Sequence, residues 1–505
     1  MTVNPNWTDV AYAITHSATS KTIEIGPGTL IVDHKSLPNI AHHDQKFVGY
    51  GVTVRAVQYP GYVDVEMLEL SVMAILGLPG DGGYYALDKT QQATVQSYIK
   101  THTVDVSAMT LAVQKYIADN LKPIIDTTTF EAKPPKSAQV TVNGKPYLFS
   151  LKWRASVSKG LFTIQKDFWG SRFYGFRFQN ARMDGSSNNA AGIRAQNTDA
   201  LAADCSFESC EMGLLAGIQG IAGPTGIWYP EVPNSPLVSL YGFVMDVNCT
   251  YDWCGSPLSG DAHPVYGGET LFDISVGAKS IRSNGGHFRK MDGGEQWMLD
   301  GILQDDGSDD GVEQCWDATS GACGLVNNVM LKISAGGGNF GPTVLVRNNR
   351  QPIPPKEENT AIIVGNDLTW APRQNPKHGC PGVVQVLEAP TFKVEKSTNT
   401  SWPGVPRPIR TSIRNNILRC VAGAPAGQHG GISAPVGYEN VNNVVLGLTD
   451  VGPNVKVPLT LDPWTRANLI KNWAALVSAV DPAAAARVAW KESLPLYPTG
   501  ISFPL

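Results

Sequence analysis

From Gly160 to Gly217 the chain repeats short β-type runs between turns rich in Asn and Gly. Leu161-Phe162-Thr163-Ile164 is followed by Phe173 to Ala181, then by Ala191-Gly192-Ile193-Arg194, Cys205-Ser206-Phe207 and Met212-Gly213-Leu214-Leu215. Each run is too short for a helix and ends at residues that tolerate turn geometry. Phe176-Arg177-Phe178 finds a counterpart about 29 residues later in Cys205-Ser206-Phe207, a spacing on the order of one solenoid coil. The pattern predicts an all-β chain, a right-handed parallel β-helix whose rungs hydrogen-bond to the rungs above and below at roughly 4.8 Å.

Composition agrees with one long solenoid. The chain has 505 residues with 51 Gly and 35 Pro, and its 42% hydrophobic residues can build a core, whereas only 17% are charged. A net charge of −4 gives no reason to expect nucleic-acid binding. No apolar run approaches the ~20 residues that span a bilayer, so membrane insertion is not expected. The N-terminus from Met1 to Asp9 is polar and reads as lacking an export signal. Eight cysteines, at 205, 210, 249, 254, 315, 323, 380 and 420, permit disulfides or buried thiols stacked inside coils. Their spacing does not match the usual zinc pairs.

The pattern divides the chain into an N-terminal cap and first coils (1–59), a helical insertion (60–137), the main β-helix (138–451) and a C-terminal helical cap and tail (452–505). Trp7, Val10, Ala11 and Ile14 fall on one face of a short capping helix over residues 5–17. Gln91 to Lys100 and Ser107 to Asn120 have helical spacing. Asn-Asn pairs at 327–328, 348–349, 415–416 and 442–443 mark corners, since Asn tolerates left-handed turns and stacks in ladders. Asp462-Pro463 and Asp481-Pro482 each open a helix with a capping residue followed by Pro at the first helical position.

Ser158-Lys159-Gly160-Leu161-Phe162, Asn180-Ala181, Ala191-Gly192-Ile193-Arg194, Gly213 to Gly217 and Ala262-His263-Pro264-Val265-Tyr266 follow a familiar order of motifs. In that order the chain resembles right-handed parallel β-helix proteins of the pectin lyase-like superfamily, over about a third of its length. The resemblance implies the fold and a polysaccharide partner but no single activity, because that superfamily holds lyases, glycoside hydrolases, phage tailspikes and passive adhesins. A tailspike would place the protein on a virion or outside the cell, and as a homotrimer. Asn197-Thr198-Asp199 and Gln304-Asp305-Asp306 resemble two motifs of the pectin-hydrolysing glycosidases. Here they stand over a hundred residues apart, not about one coil, and no Arg-Ile-Lys follows.

Two chemistries remain open, with a noncatalytic glycan-binding or structural protein as the alternative. Elimination from a uronic acid needs a cation for the sugar carboxylate, a base at C5 and a proton donor for the leaving oxygen. His263, Tyr266, Lys279, Arg282, His287, Arg289 and Lys290 lie within one or two coils and supply those types. Hydrolysis needs two carboxyls about 5 to 9.5 Å apart, and Asp300, Asp305 and Asp306, with Asp309 and Asp310 beyond, are the alternative centre. The same acids suit Ca²⁺ as a further reading, although the EF-hand order is absent; no other cofactor is expected. Between Leu151 and Ala195 eight basic residues face two acidic ones. Arg177, Arg182 and Arg194 are expected to point outward as a stripe for an anionic glycan, with Trp169 and Tyr174 to stack on sugar rings.

Overall fold

The computed structural model describes residues 1–121, 138–217, 243–348, 359–370, 383–387, 409–420 and 431–447, with short breaks inside those ranges. These residues form a parallel β-helix. A representative coil runs through Ala191–Gln196, Ala200–Ala203 and Ser206–Glu208, and then Met212–Gly217 returns to pair with Ala191–Gln196. Coil after coil repeats this path, giving three parallel sheets, called A, B and C here in the order the chain visits them. Arg177 pairs with Ser206 and Phe178 with Phe207, so the spacing of the two sequence motifs is that of one coil.

The corner from sheet B to sheet C explains the Asn pairs. Asp204, Asn248, Asp300, Asn327, Asn415 and Asn442 each have a left-handed backbone there, φ between 50° and 56°, and Gly277 and Gly365 take the same place in other coils. The next residue turns inward. In the lower coils it is Asn328, Asn366, Asn416 and Asn443, and each of the first three donates its side-chain amide to the next one's Oδ1 at 2.9 Å. Each Oδ1 also accepts a backbone N–H from the coil before it, beginning with Gly301. In the upper coils Cys205 and Cys249 occupy this position. Cys210 and Cys254 stack in the same way at the exit of sheet C, after the left-handed Ser209 and Trp253. All four thiols are buried and free of disulfides, and Cys323 is buried as well. Asn348 ends a strand of sheet A, so the pair at 348–349 does not belong to this ladder.

The lumen changes character along the axis. At the N-terminal end it is aromatic: Phe47 stacks on Phe173, and Phe178, Phe207 and Tyr251 stack in successive coils with centroids 5.0 Å apart. Towards the C-terminus it is aliphatic, with Leu325, Met330, Ile363, Leu368, Ile413 and Leu418 in one continuous core. The first coil is covered by helix α1 (Trp7–His16), N-capped by Asn6, which buries Val10, Ala11, Ala13 and Ile14.

Three helices, α2 (Asp64–Ile75), α3 (Lys89–Thr101) and α4 (Val106–Asn120), form an insertion with cores of its own around Met67, Met109 and Phe149 and around Leu70, Met73 and Val95. Helix α2 had no clear periodic signal because its apolar residues surround it. The strands after residue 138 belong to this insertion. Ala138–Val142 and Lys145–Phe149 form an antiparallel hairpin, and Leu151–Ala155 pairs antiparallel with Gln58–Tyr62, so the solenoid resumes at Gly160. The expected C-terminal helical cap lies outside the described residues.

Candidate functional site

Sheet A carries the outward row that matters most. Register places Thr163, Arg194, Leu215, Tyr266 and Lys290 side by side in five successive coils. Their strand neighbours Ala195, Ala216 and Met291 belong to the lumen core, so alternation turns the row outward. Tyr266 packs there against buried Ala191, Met212 and Leu215. Lys290 Nζ lies 5.5 Å from the centroid of the Tyr266 ring. Burial holds the Arg194 guanidinium below its ordinary pKa.

Two histidines flank the tyrosine. The His263 ring meets Tyr266 edge-on at 5.2 Å and stacks on His287 at 4.8 Å. His263 Nδ1 accepts the backbone N–H of His287 at 3.0 Å, which fixes a neutral His263 as the Nε2–H tautomer. His263 is buried whereas His287 and Tyr266 are half-exposed. The first therefore positions, and the other two can touch a ligand.

Arg289 does not join this group. It points into the lumen, fully buried, where its two terminal nitrogens donate to Asp246 and Asp273. Tyr251 and Ser275 donate to the second oxygen of Asp246 at 3.3 and 3.2 Å. Burial works against charging Arg289, but the two carboxylates outweigh it and hold the guanidinium above its ordinary pKa. Asp273 lies against Gly267, where a Cβ would come within 1.9 Å of its Oδ2. Sequence reading missed Asp246 and Asp273, although each is an acid at an inward position of an apolar strand. That parity was the available signal.

The remaining candidates are dispersed. Arg177 points outward as expected, but on sheet C, where Glu208 accepts its Nε and Nη2 at 2.6 Å. Arg182 is buried and donates to the Trp253 carbonyl at 2.8 Å, so it is not part of an outward stripe. The three arginines therefore do not share a groove: their strands and turns lead to different sides of the coil. Lys279 is exposed on sheet C, next in register to Ile302 and away from sheet A. Asp300 is a left-handed corner residue, and Asp305 and Asp306 end the sheet C strand Ile302–Asp306, with side chains outside the description. Tyr174 is half-buried on sheet B beside the buried Arg172, and burial raises its phenol above the ordinary range. Trp169 and Arg282 lie outside the described residues. Among the described residues no group of three His, Cys, Asp or Glu side chains is placed to hold a metal ion, and no helix is long and apolar enough to cross a membrane.

The fold and this outward row define a parallel β-helix protein with a cationic and aromatic track on one sheet. No protein-family model and no curated protein matches the chain. Among solved structures it is similar to a complex of XylC with xylose, at 9% identity over 92% of this chain and 87% of that one, TM-score 0.38. It is also similar to the tailspike protein gp49 from Acinetobacter baumannii bacteriophage Fri1, a capsular polysaccharide depolymerase, at 11% identity over 94% and 66%, TM-score 0.28. A third is the Gp54 tailspike of Acinetobacter baumannii bacteriophage AP22 in complex with capsular saccharide, at 10% identity over 89% and 72%, TM-score 0.23. The fold assignment rests on the strand pairing itself.

Proposed function

We propose that the protein engages an acidic polysaccharide along the outer face of sheet A and cleaves it there by elimination. The observation that carries this reading is the shared outward row of Arg194, Tyr266 and Lys290, with His287 beside it. Rungs repeat at roughly 4.8 Å, close to the length of one sugar unit, so a glycan laid across the strands meets successive rows. In this scheme Lys290 and Arg194 face sugar carboxylates, lowering the cost of a carbanion at C5. His287 takes the C5 proton, the C4–O bond breaks as the C4=C5 double bond forms, and Tyr266 gives its proton to the departing oxygen. His263 holds His287 through its backbone N–H and its stacked ring. No metal or organic cofactor enters this scheme. Substrates of this kind lie on cell surfaces or outside cells, which suits an extracellular or virion-borne protein.

The test is a panel of acidic and neutral polysaccharides followed both by absorbance at about 235 nm for unsaturated products and by reducing ends. Unsaturated product from an acidic glycan is the expected result. New reducing ends without absorbance would move the chemistry to the carboxylates of sheet C, and neither signal would remove the catalytic reading.

A further inference from the structure

At the corner between sheets B and C the strand Lys46–Ala56 carries two extra residues. Val48 pairs with Tyr174 and Val52 with Phe176, so Gly49-Tyr50-Gly51 stand opposite the single residue Gly175. Both flanking glycines are required. A Cβ at Gly49 would fall 2.3 Å from the Phe176 ring, and Gly51 has φ 80° with Pro27 at 3.3 Å. Between them Tyr50 is 58% exposed. Its ring rests on the backbone of Gly175, where a Cβ would lie 2.3 Å from it. The hydroxyl donates to Asp204 Oδ2 at 3.1 Å, and Asp204 Oδ1 accepts from Asn248 Nδ2 at 3.4 Å.

A bulge that lifts an aromatic ring out of a sheet, with glycines on both sides, works against burial of that ring. The ring is nevertheless fixed, by Gly175 beneath it and by Asp204 at its tip. One apolar face is left to solvent, bordered by a carboxylate and an amide. This is the composition of a sugar platform: the C–H face of a pyranose covers the ring while its hydroxyls bond to Asp204 and Asn248. We propose that the Tyr50 corner is a glycan-binding site separate from sheet A, selective for a neutral pyranose because Asp204 repels a uronate. The inference rests on the polysaccharide reading but not on the chemistry at Tyr266.

The experiment titrates the full chain with maltohexaose, cellohexaose and a hyaluronan hexasaccharide. At least one neutral probe is expected to bind, with roughly tenfold weaker binding in both Tyr50→Ala and Tyr50→Leu and little change in Tyr50→Trp. Tyr50→Leu keeps an apolar cover over Gly175, so parent-like melting in that variant separates loss of stacking from loss of fold. Failure of both neutral probes to bind, or binding that survives Tyr50→Leu, overturns the proposal. Hyaluronan binding lost in Lys290→Ala, with neither neutral probe bound, would retain sheet A and reject the corner. Neutral-probe binding lost in Tyr50→Leu, with no hyaluronan binding at all, would retain the corner and reject sheet A.

Discussion

Arg289 and Lys290 are consecutive residues of one strand that serve opposite sides of the solenoid wall. Arg289 is locked inside by Asp246 and Asp273, and Lys290 stands outside over Tyr266. The wall is one strand thick, so the buried ion group fixes the backbone from which the outer site projects. Asp273 does the same one strand earlier, pressed against Gly267 beside Tyr266.

Removing the cation from this group should be far costlier than replacing a surface arginine. Arg289→Ala leaves two buried carboxylates uncompensated and is expected to destabilise by about 3–5 kcal/mol, whereas Arg177→Ala, at an exposed pair, should cost at most about 1 kcal/mol. Urea unfolding of the two variants measures both. Equal effects would show that the lumen tolerates the unpaired acids.

The asparagine ladder makes a separate demand. Asn366 donates to the Leu325 carbonyl at 3.0 Å and to Asn416, and it accepts the backbone N–H and side-chain amide of Asn328. Asn366→Ala should therefore cost about 2–4 kcal/mol, from lost bonds and a buried donor left without an acceptor. Asn327, one corner back, needs only its left-handed backbone, φ 56°. Asn327→Gly should be nearly neutral, and Asn327→Val should cost about 1–2 kcal/mol. Denaturation midpoints that do not separate these three variants would contradict the ladder.

Much of the repeat was legible because its signals are local. Alternation placed Phe176 and Phe178 inside and Arg177 outside, and adjacent asparagines marked corners where one turns left-handed and the next turns in. Gly365-Asn366 escaped notice because Gly took the corner position and broke the pair. Row membership was not legible. Arg194, Tyr266 and Lys290 become neighbours only once the coil lengths are known, and one strand ends at Gly217 while the next begins only at Phe243. Arg289 was misread for a related reason: a basic cluster in sequence says nothing of which members face the lumen.

Burial raises the thiols of Cys249 and Cys254 well above their ordinary pKa, each also held by its partner thiol in the preceding coil, Cys205 or Cys210. Folded-state pKa values above the unfolded ones mean that these groups leave stability unaffected below about pH 9. Above it the unfolded chain gives up thiol protons that the folded chain keeps, and stability falls with rising pH. Cys249→Ala and Cys254→Ala should flatten that decline, by up to about 1.4 kcal/mol per pH unit for each thiol. A thiol reagent at pH 8 should label neither residue until the protein unfolds. Rapid labelling of the native protein at these positions would defeat the assignment.

The sharpest functional prediction separates sheet A from sheet C, because the structure puts the two candidate chemistries on different faces. His287→Ala and Tyr266→Phe should each lower elimination by about 10²–10⁴-fold, the range for loss of a general base or acid. Lys290→Ala should act mainly on acidic substrates, since it removes a carboxylate-facing cation. Lys279→Ala, on sheet C, should leave turnover unchanged. Asp305→Asn should likewise have little effect on elimination, but it should abolish activity if the reaction is hydrolysis at the sheet C carboxylates. His263→Asn keeps an acceptor for the His287 N–H while removing the stacked ring. It should retain the fold and alter the pH profile of turnover, because the ring beside His287 sets that base's surroundings. An unchanged pH profile in His263→Asn, with turnover intact, would remove His263 from the site. Full activity in Tyr266→Phe, His287→Ala and Asp305→Asn together would exclude both centres.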